Sequence, residues 1–209
     1  MTSRDLSPSL TTLFFKRLFD IVFSSMGMII LSPLFLVIYL WIKLDSKGPA
    51  IFKQTRIGKN GREFQIYKFR TMVVDAEKLG KQITVSNDKR ITRSGRFLRK
   101  YKLDELPQLL NVLKGDMSFV GPRPEVPRYT ALYNAEQKKV LTIRPGITDY
   151  ASIKYRDENE ILAQSDDPEK TYIEQIMVDK LKLNLQYIEE MSFWNDIKII
   201  FRTLLKIVE

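Results

Sequence analysis

The chain has 209 residues, of which 44% are hydrophobic and 28% charged, with 34 Lys and Arg against 25 Asp and Glu, a formal net charge of +9, and neither histidine nor cysteine. That length allows one main domain with a sizeable core and no disulfides, and the composition excludes wholesale disorder. The missing residues exclude Ser-His-Asp and Cys-His nucleophiles, thiol redox chemistry and a zinc site of nitrogen and sulfur ligands, while the charge asks for an anionic partner: nucleic acid, an acidic membrane surface or a phosphorylated small molecule.

From Ile21 to Ile42 the chain reads IVFSSMGMIILSPLFLVIYLWI and carries no charge. As a straight helix this run would reach roughly 33 Å at ~1.5 Å per residue, enough to cross a bilayer. Its length and the lack of a small-residue cleavage site argue against a signal peptide. Lys16 and Arg17 precede the run and Lys43 and Lys47 follow it, so the basic asymmetry of a single pass is missing. Near the middle, Pro33 has no N–H for the Ile29 carbonyl and its ring crowds that turn, while the Ser32 hydroxyl can bond a carbonyl one turn back. Two readings stay open: a transmembrane helix kinked at proline, and a broken helix that enters and leaves on one face.

Residues 50 to 74 read as a hairpin, with AIFKQTRIG and EFQIYKFRTMVV joined at Lys59-Asn60-Gly61. The polar stretch from Asp75 to Asp88 reads as a short helix and loop. Then come Lys89, Arg90, Arg93, Arg96, Arg99, Lys100 and Lys102, uninterrupted by any acid. On a helix, Arg90, Arg93, Arg96 and Arg99 would form a slanting cationic stripe. A solvated face, or one resting on anionic lipid, explains most of them.

In LDELPQLLNVLKGD, Leu103, Leu106, Leu109, Leu110 and Leu113 recur at helical spacing, and Asp104, Gln108 and Asn111 make the polar face. Proline is tolerated in a first turn, so Pro107 puts Asp104 and Glu105 at or just before the helix start, and Lys114-Gly115 ends it. The N–H groups and dipole of that helix would hold a phosphate and keep Asp104 ionised as nucleophile or metal ligand, although acids favour first turns anyway. MSFVGPRP reads as a short strand entering a rigid loop in which Pro122 and Pro124 stiffen Arg123. An amphipathic helix from about Glu125 to Leu141 follows, then Arg144-Pro145-Gly146 as a type II turn. Further helices are expected from Pro168 to about Glu190 and from Ser192, as N-cap, to Val208. On the last, Phe193, Trp194, Ile197, Ile200, Phe201, Leu204, Leu205 and Val208 form an apolar stripe beside Lys198, Arg202 and Lys206, a pattern of an interfacial membrane helix or of plain core packing.

KRLFDIV, the central SP, YKFRTM, LDELPQLLNVLKGDMSFVGPRP and RPGIT occur in this order. Together they resemble the bacterial sugar transferases called monotopic polyprenol phosphate phosphoglycosyl transferases, from about Lys16 to Thr148, with a weaker echo in SFWNDIKIIF. The resemblance implies an α+β chain: an N-terminal tail over 1–15, a re-entrant membrane helix-break-helix over 16–47 broken at Ser32 and Pro33, and a small, mostly helical cytoplasmic catalytic domain over 48–209 with a short β-hairpin and interfacial amphipathic helices. It places the catalytic dyad on Asp104, the nucleophile, and Glu105, its support. Magnesium (Mg2+), with Asp104 as ligand, would neutralise the diphosphate. Arg99 would meet the polyprenyl phosphate, and Lys68 and Arg123 the substrate phosphates, as a point cation and a forked one.

The implied reaction transfers a sugar 1-phosphate from a UDP-sugar to polyprenyl (undecaprenyl) phosphate, releases UMP through an aspartyl-phosphosugar, and opens exopolysaccharide, capsule, O-antigen or glycoprotein glycan assembly on the cytoplasmic face of the bacterial inner membrane. Partners are then the UDP-sugar, the polyprenyl phosphate and membrane lipids, with no nucleic acid, and a homodimer is left open. Many family members continue RPGIT with Gly-Trp where this chain has Asp149-Tyr150, which leaves the sugar undefined. Larger relatives carry an N-terminal multi-helix membrane domain, so the expectation here is the minimal catalytic form. The competing readings are a non-catalytic basic membrane-associated scaffold of polysaccharide assembly and a nucleic-acid-binding protein, the latter disfavoured by the apolar run.

Overall fold

A computed structural model describes residues 9–76 and 88–208. Most of the polar stretch expected as a short helix and loop lies outside the described residues. The described chain is mostly helical, with two small two-stranded sheets.

Helices α1 (Leu10–Ile30) and α2 (Ser32–Asp45) meet at Leu31 with a bend of 61°. Pro33 lies in the first turn of α2, and Ser32 Oγ donates to the Ile29 carbonyl at 2.8 Å, replacing the donor that proline lacks. Among the described residues no single helix is long and apolar enough to cross a membrane, but the bent pair passes that test together. Phe14, Phe15, Ile29, Ile30, Leu36 and Val37 are each more than half exposed.

The inner face of α1 is polar and buried. Lys16 Nζ donates to the Val120 carbonyl (2.8 Å), to Tyr187 Oη (3.1 Å) and to the Asp196 carboxylate. Asp20 accepts from Ser118 Oγ (3.1 Å) and the Phe119 N–H (3.0 Å). Arg17 donates to the Val112 and Leu113 carbonyls. Residues read from sequence as a basic flank thus fasten the helix to the rest of the protein.

Strands β1 (Ile51–Ile57) and β2 (Glu63–Phe69) form the expected antiparallel hairpin, from Ile51 opposite Phe69 to Ile57 opposite Glu63. Asn60 and Gly61 take φ of 58° and 75°, a region these two residues enter at low cost. The second strand stops short of Val74 because Arg70 turns inward onto the Ser46 and Lys47 carbonyls. Helix α3 (Arg93–Lys100) is capped by Thr92, and the Asp45 carboxylate at the end of α2 accepts from Ser94 N (2.9 Å) and Oγ (2.7 Å). Arg90 precedes α3 and pairs with Asp88, so the helical stripe is shorter than expected.

Helix α4 (Gln108–Lys114) follows a 3-10 turn, Leu103–Glu105, and ends at Gly115 with φ of 89°. Its expected polar face is the buried one. Gln108 and Asn111 are buried while Leu110 is exposed, because α4 packs on β2 and Asn111 serves that strand's backbone, accepting from Tyr67 N (3.0 Å) and donating to the Gln65 carbonyl (2.7 Å).

Strand β3 (Ser118–Val120) pairs in parallel with β4 (Gly146–Thr148). Gly146 therefore opens a strand instead of closing a type II turn; a Cβ there would lie 2.1 Å from the Gly121 nitrogen. The helix expected over 125–141 is broken into α5 (Pro127–Thr130) and a 3-10 stretch, Gln137–Thr142. Asn134 and Gln137 exchange backbone-to-side-chain hydrogen bonds of 2.9 Å each, a reciprocal cap that starts a new turn. Helices α6 (Tyr150–Lys154) and α7 (Glu158–Ala163) were not expected. Helix α8 (Pro168–Thr171), a π-helical turn (Tyr172–Ile176) and α9 (Met177–Glu189) run on as the expected long helix. Helix α10 (Phe193–Val208) begins after Ser192, whose Oγ accepts from Asn195 N at 3.2 Å. Of its expected apolar stripe, Trp194, Phe201, Leu204 and Leu205 are more than half exposed, whereas the fully buried residue, Ile199, lies outside that stripe.

The largest core cluster joins Val120, Val126, Tyr133, Leu162, Tyr172, Leu181 and Tyr187. A second, of Ile38, Ile42, Phe69 and Leu98, seats α2 on the hairpin and α3.

Candidate active site

A cavity of about 600 Å³ opens between the hairpin, the 3-10 turn before α4, the loop after β3, and α6, α7 and α9. Lys68, Arg99, Asp104, Glu105 and Arg123 all line it. Ser32 and Pro33 do not; they form the bend between α1 and α2.

Lys68 comes from β2, Arg99 from the last turn of α3, and Arg123 from the loop in which Pro122 and Pro124 flank it. Asp104 and Glu105 are presented by the 3-10 turn, which Lys102 starts in the left-handed region at φ 54°. Glu105 is the hub. Lys68 Nζ lies 2.9 Å from its Oε1, and Arg123 grips the same carboxylate with both Nη atoms, Nη1 at 3.2 Å from Oε2. Burial acts to raise the Glu105 pKa, but Arg123 and Lys68 outweigh it and hold the carboxyl well below the usual range. Arg123 is in turn raised by Glu105, whereas Lys68 is lowered, chiefly by burial.

Asp104 behaves in the opposite way. It is only 7% exposed, and burial together with the neighbouring Glu105 charge raises its pKa against the pull of Lys68, Arg99 and Lys102. As expected, Asp104 and Glu105 lie just before α4, which begins at Gln108 behind Pro107, but they are held in a separate 3-10 turn and not in the helix itself. Its Oδ1 is buried with no hydrogen-bond partner, as is Arg99 Nη1, while Arg99 Nε donates to Thr71 Oγ1 at 3.1 Å. Among the described residues no three acidic side chains gather to hold a metal by themselves. A single unpartnered carboxylate oxygen does fit magnesium, which binds through one or two carboxylates and completes its shell with substrate phosphate and water.

Three features of the cavity were not legible as functional. Arg56 of β1 lies 3.2 Å from Glu125 Oε1 and donates to Gln54 Oε1 at 2.7 and 3.0 Å. Asp149, fully buried, accepts from Arg123 N at 3.1 Å and from Ser152 N at 2.6 Å, so one carboxylate ties the Arg123 loop to the first turn of α6. On the far wall, Lys180 pairs with Glu158. The signal that could have marked Asp149 is an Asp three residues before Ser152, a helix-capping pattern, and a cap alone would say nothing of Arg123.

The sequence profile of the family described as Bacterial sugar transferase matches residues 11–209. Among curated relatives, the chain is 44% identical over 200 residues to "Galactosyl transferase CpsE" of Streptococcus agalactiae serotype III (strain NEM316), covering 90% of this chain and 41% of that protein. It is 40% identical over 200 residues to the UDP-glucose:undecaprenyl-phosphate glucose-1-phosphate transferase of Escherichia coli (strain K12), covering 91% of this chain and 39% of the relative. A protein of the same name from Caulobacter vibrioides (strain ATCC 19089 / CIP 103742 / CB 15) is 39% identical over 193 residues, with 90% and 68% covered. The chain thus spans about two fifths of the length of the first two and about two thirds of the third.

Proposed function

Since the chain belongs to the bacterial sugar transferase family, we propose that it transfers a sugar 1-phosphate from a UDP-sugar to undecaprenyl or another polyprenyl phosphate and releases UMP. The observation that carries this reading is the cavity itself. It gathers Lys68, Arg99 and Arg123 around two adjacent carboxylates, one of them with a buried oxygen left unpartnered. The relatives' names supply the substrate class.

In the first step an Asp104 carboxylate oxygen attacks the sugar-bearing phosphorus. A new P–O bond forms, the bond to the bridging oxygen breaks, and UMP leaves with that electron pair. In the second, an oxygen of polyprenyl phosphate attacks the same phosphorus and the Asp104 carboxylate departs. Two anions must approach in each step, so the repulsion has to be offset. Lys68 and Arg123, engaged with Glu105 before substrate arrives, turn to the incoming phosphates, and Arg99 is left to meet the lipid phosphate. When bound at Asp104, magnesium would add neutralisation of the diphosphate. A buried nucleophile with a raised pKa is also the more basic for it, and the cations keep it ionised once substrate is present.

The proposal extends to the membrane. Both ends of the α1–α2 pair are tied to one globular body: α1 by Lys16 and Asp20, α2 by Asp45 and by the packing of Ile38 and Ile42. Ends held on one body favour the same side of a bilayer. This supports a re-entrant anchor over 16–47, with the catalytic part over 48–209 at the cytoplasmic face of the inner membrane and the exposed apolar side of α10 at the interface. The test is a panel of UDP-sugars in detergent with polyprenyl phosphate and magnesium. Release of UMP with one or more sugars is expected; no release with any would leave a binding scaffold as the better account.

A further inference from the structure

Among the described residues six buried side-chain polar atoms lack a hydrogen-bond partner, and four of them, on Arg99, Asp104, Ser152 and Asn184, belong to residues that line this cavity. Buried polar atoms are ordinarily satisfied, because leaving them bare costs stability. Their concentration here points to groups that a ligand completes. Arg99 and Asp104 belong to the charged end of the cavity. Ser152, on α6, and Asn184, on α9, which packs against α6, do not.

Resting on the reading above, we propose that the first turn of α6 recognises the uncharged part of the nucleotide sugar. Ser152 Oγ is its specificity-determining hydrogen bond, and Asp149 is the positioning residue that sets Ser152 beside Arg123. The ligand chemistry follows from the surroundings. The cations on this wall already have acidic neighbours: Lys180 pairs with Glu158, and Arg156 Nε lies 4.0 Å from Asp157 Oδ1. A neutral hydroxyl suits a hydroxyl or amide of a sugar or nucleoside. The spacing follows from Asp149: its two oxygens hold the Arg123 and Ser152 nitrogens at 3.1 and 2.6 Å, so a donor whose phosphates meet Arg123 presents its next uncharged groups to α6. The cavity, about 600 Å³, falls in the ordinary range for small-molecule sites.

Steady-state UMP release from the preferred UDP-sugar tests this with the full-length protein in detergent. Ser152→Ala should raise KM about 3- to 10-fold, the effect of one lost hydrogen bond to an uncharged group, with kcat within about twofold and thermal unfolding unchanged. Ser152→Thr, which keeps a hydroxyl, should recover most of the loss. UMP as product inhibitor distinguishes the two sources of the bonding group: a parallel rise in its inhibition constant assigns the nucleoside, an unchanged one the sugar. Asp149→Asn places an amide donor against a backbone N–H, so it should raise KM and also shrink the effect of Ser152→Ala in the double variant. An unchanged KM in Ser152→Ala, or a fall in kcat alone, overturns the inference, and strictly additive effects overturn the positioning role. A wild type that releases no UMP from any sugar removes the proposed activity itself; an active wild type indifferent to Ser152 removes only this inference.

Discussion

Two ionic clusters in this protein use the same residue types and come out differently. Under α1, Lys16 reaches three acceptors, Asp20 accepts twice, Arg17 donates twice, and Tyr187 Oη donates to Asp196 at 2.6 Å. None of these side chains has a buried atom without a partner. In the cavity, Glu105 is gripped by Lys68 and Arg123, yet Asp104 Oδ1 and Arg99 Nη1 are left bare. A cluster that only holds the fold closes on itself. One that binds is left incomplete at the atoms its ligand must supply.

The largest effect should come from Asp104→Asn. UMP release is expected to fall by ~10³-fold or more, because in the proposed mechanism the Asp104 carboxylate forms the covalent bond. Thermal unfolding at neutral pH should be unchanged or shifted upward. A carboxyl whose pKa is raised by burial opposes folding once pH exceeds its unfolded value, so a neutral isostere relieves that cost. Next, Arg123→Lys should lower kcat/KM by on the order of 10²-fold, since a point cation cannot reproduce the two-pronged grip seen on Glu105, whereas Arg93→Ala and Arg96→Ala on the exposed side of α3 should stay within about twofold. Equal losses at all three would mean that only general positive charge matters.

The closed cluster should fail in stability. Lys16→Met leaves the Asp196 carboxylate buried without its cation, a cost of about 3–5 kcal/mol in denaturant unfolding, and adding Asp196→Asn should recover part of it. The smallest effect concerns pH. With its pKa held down, Glu105 contributes stability above the ordinary glutamate range that is lost only as pH falls through the depressed value, so Glu105→Gln should flatten the acid end of the stability curve. The acid limb of UMP release should instead follow Asp104 and lie above 3.8, the ordinary aspartate value.

What was legible in the sequence was local. Asn60-Gly61 marked the hairpin, Pro107 and Gly115 bounded α4, Ser192 opened α10, and the Ser32-Pro33 break fell where a missing donor must be replaced. The errors came from distant partners. The polar face of α4 turns inward because its Asn111 answers strand backbone at Gln65 and Tyr67. Gly146 is small for Gly121, not for a turn. Asp149 looked like a departure from a motif until the Arg123 nitrogen was seen on its carboxylate. The resemblance named Asp104 and Glu105 as a candidate dyad, but the contrast between them was not legible, since burial and the grip on Glu105 alone are tertiary.

The central claim is that the bare oxygen of Asp104 makes the bond. The most direct measurement incubates the protein with its UDP-sugar and magnesium without lipid acceptor, then follows UMP and the mass of the peptide containing Asp104. The account predicts up to one equivalent of UMP and a gain of one phosphosugar on that peptide, both absent in Asp104→Asn. UMP that appears only with polyprenyl phosphate, with no adduct trapped, would contradict it and leave direct transfer between the two substrates, with Asp104 as a metal ligand.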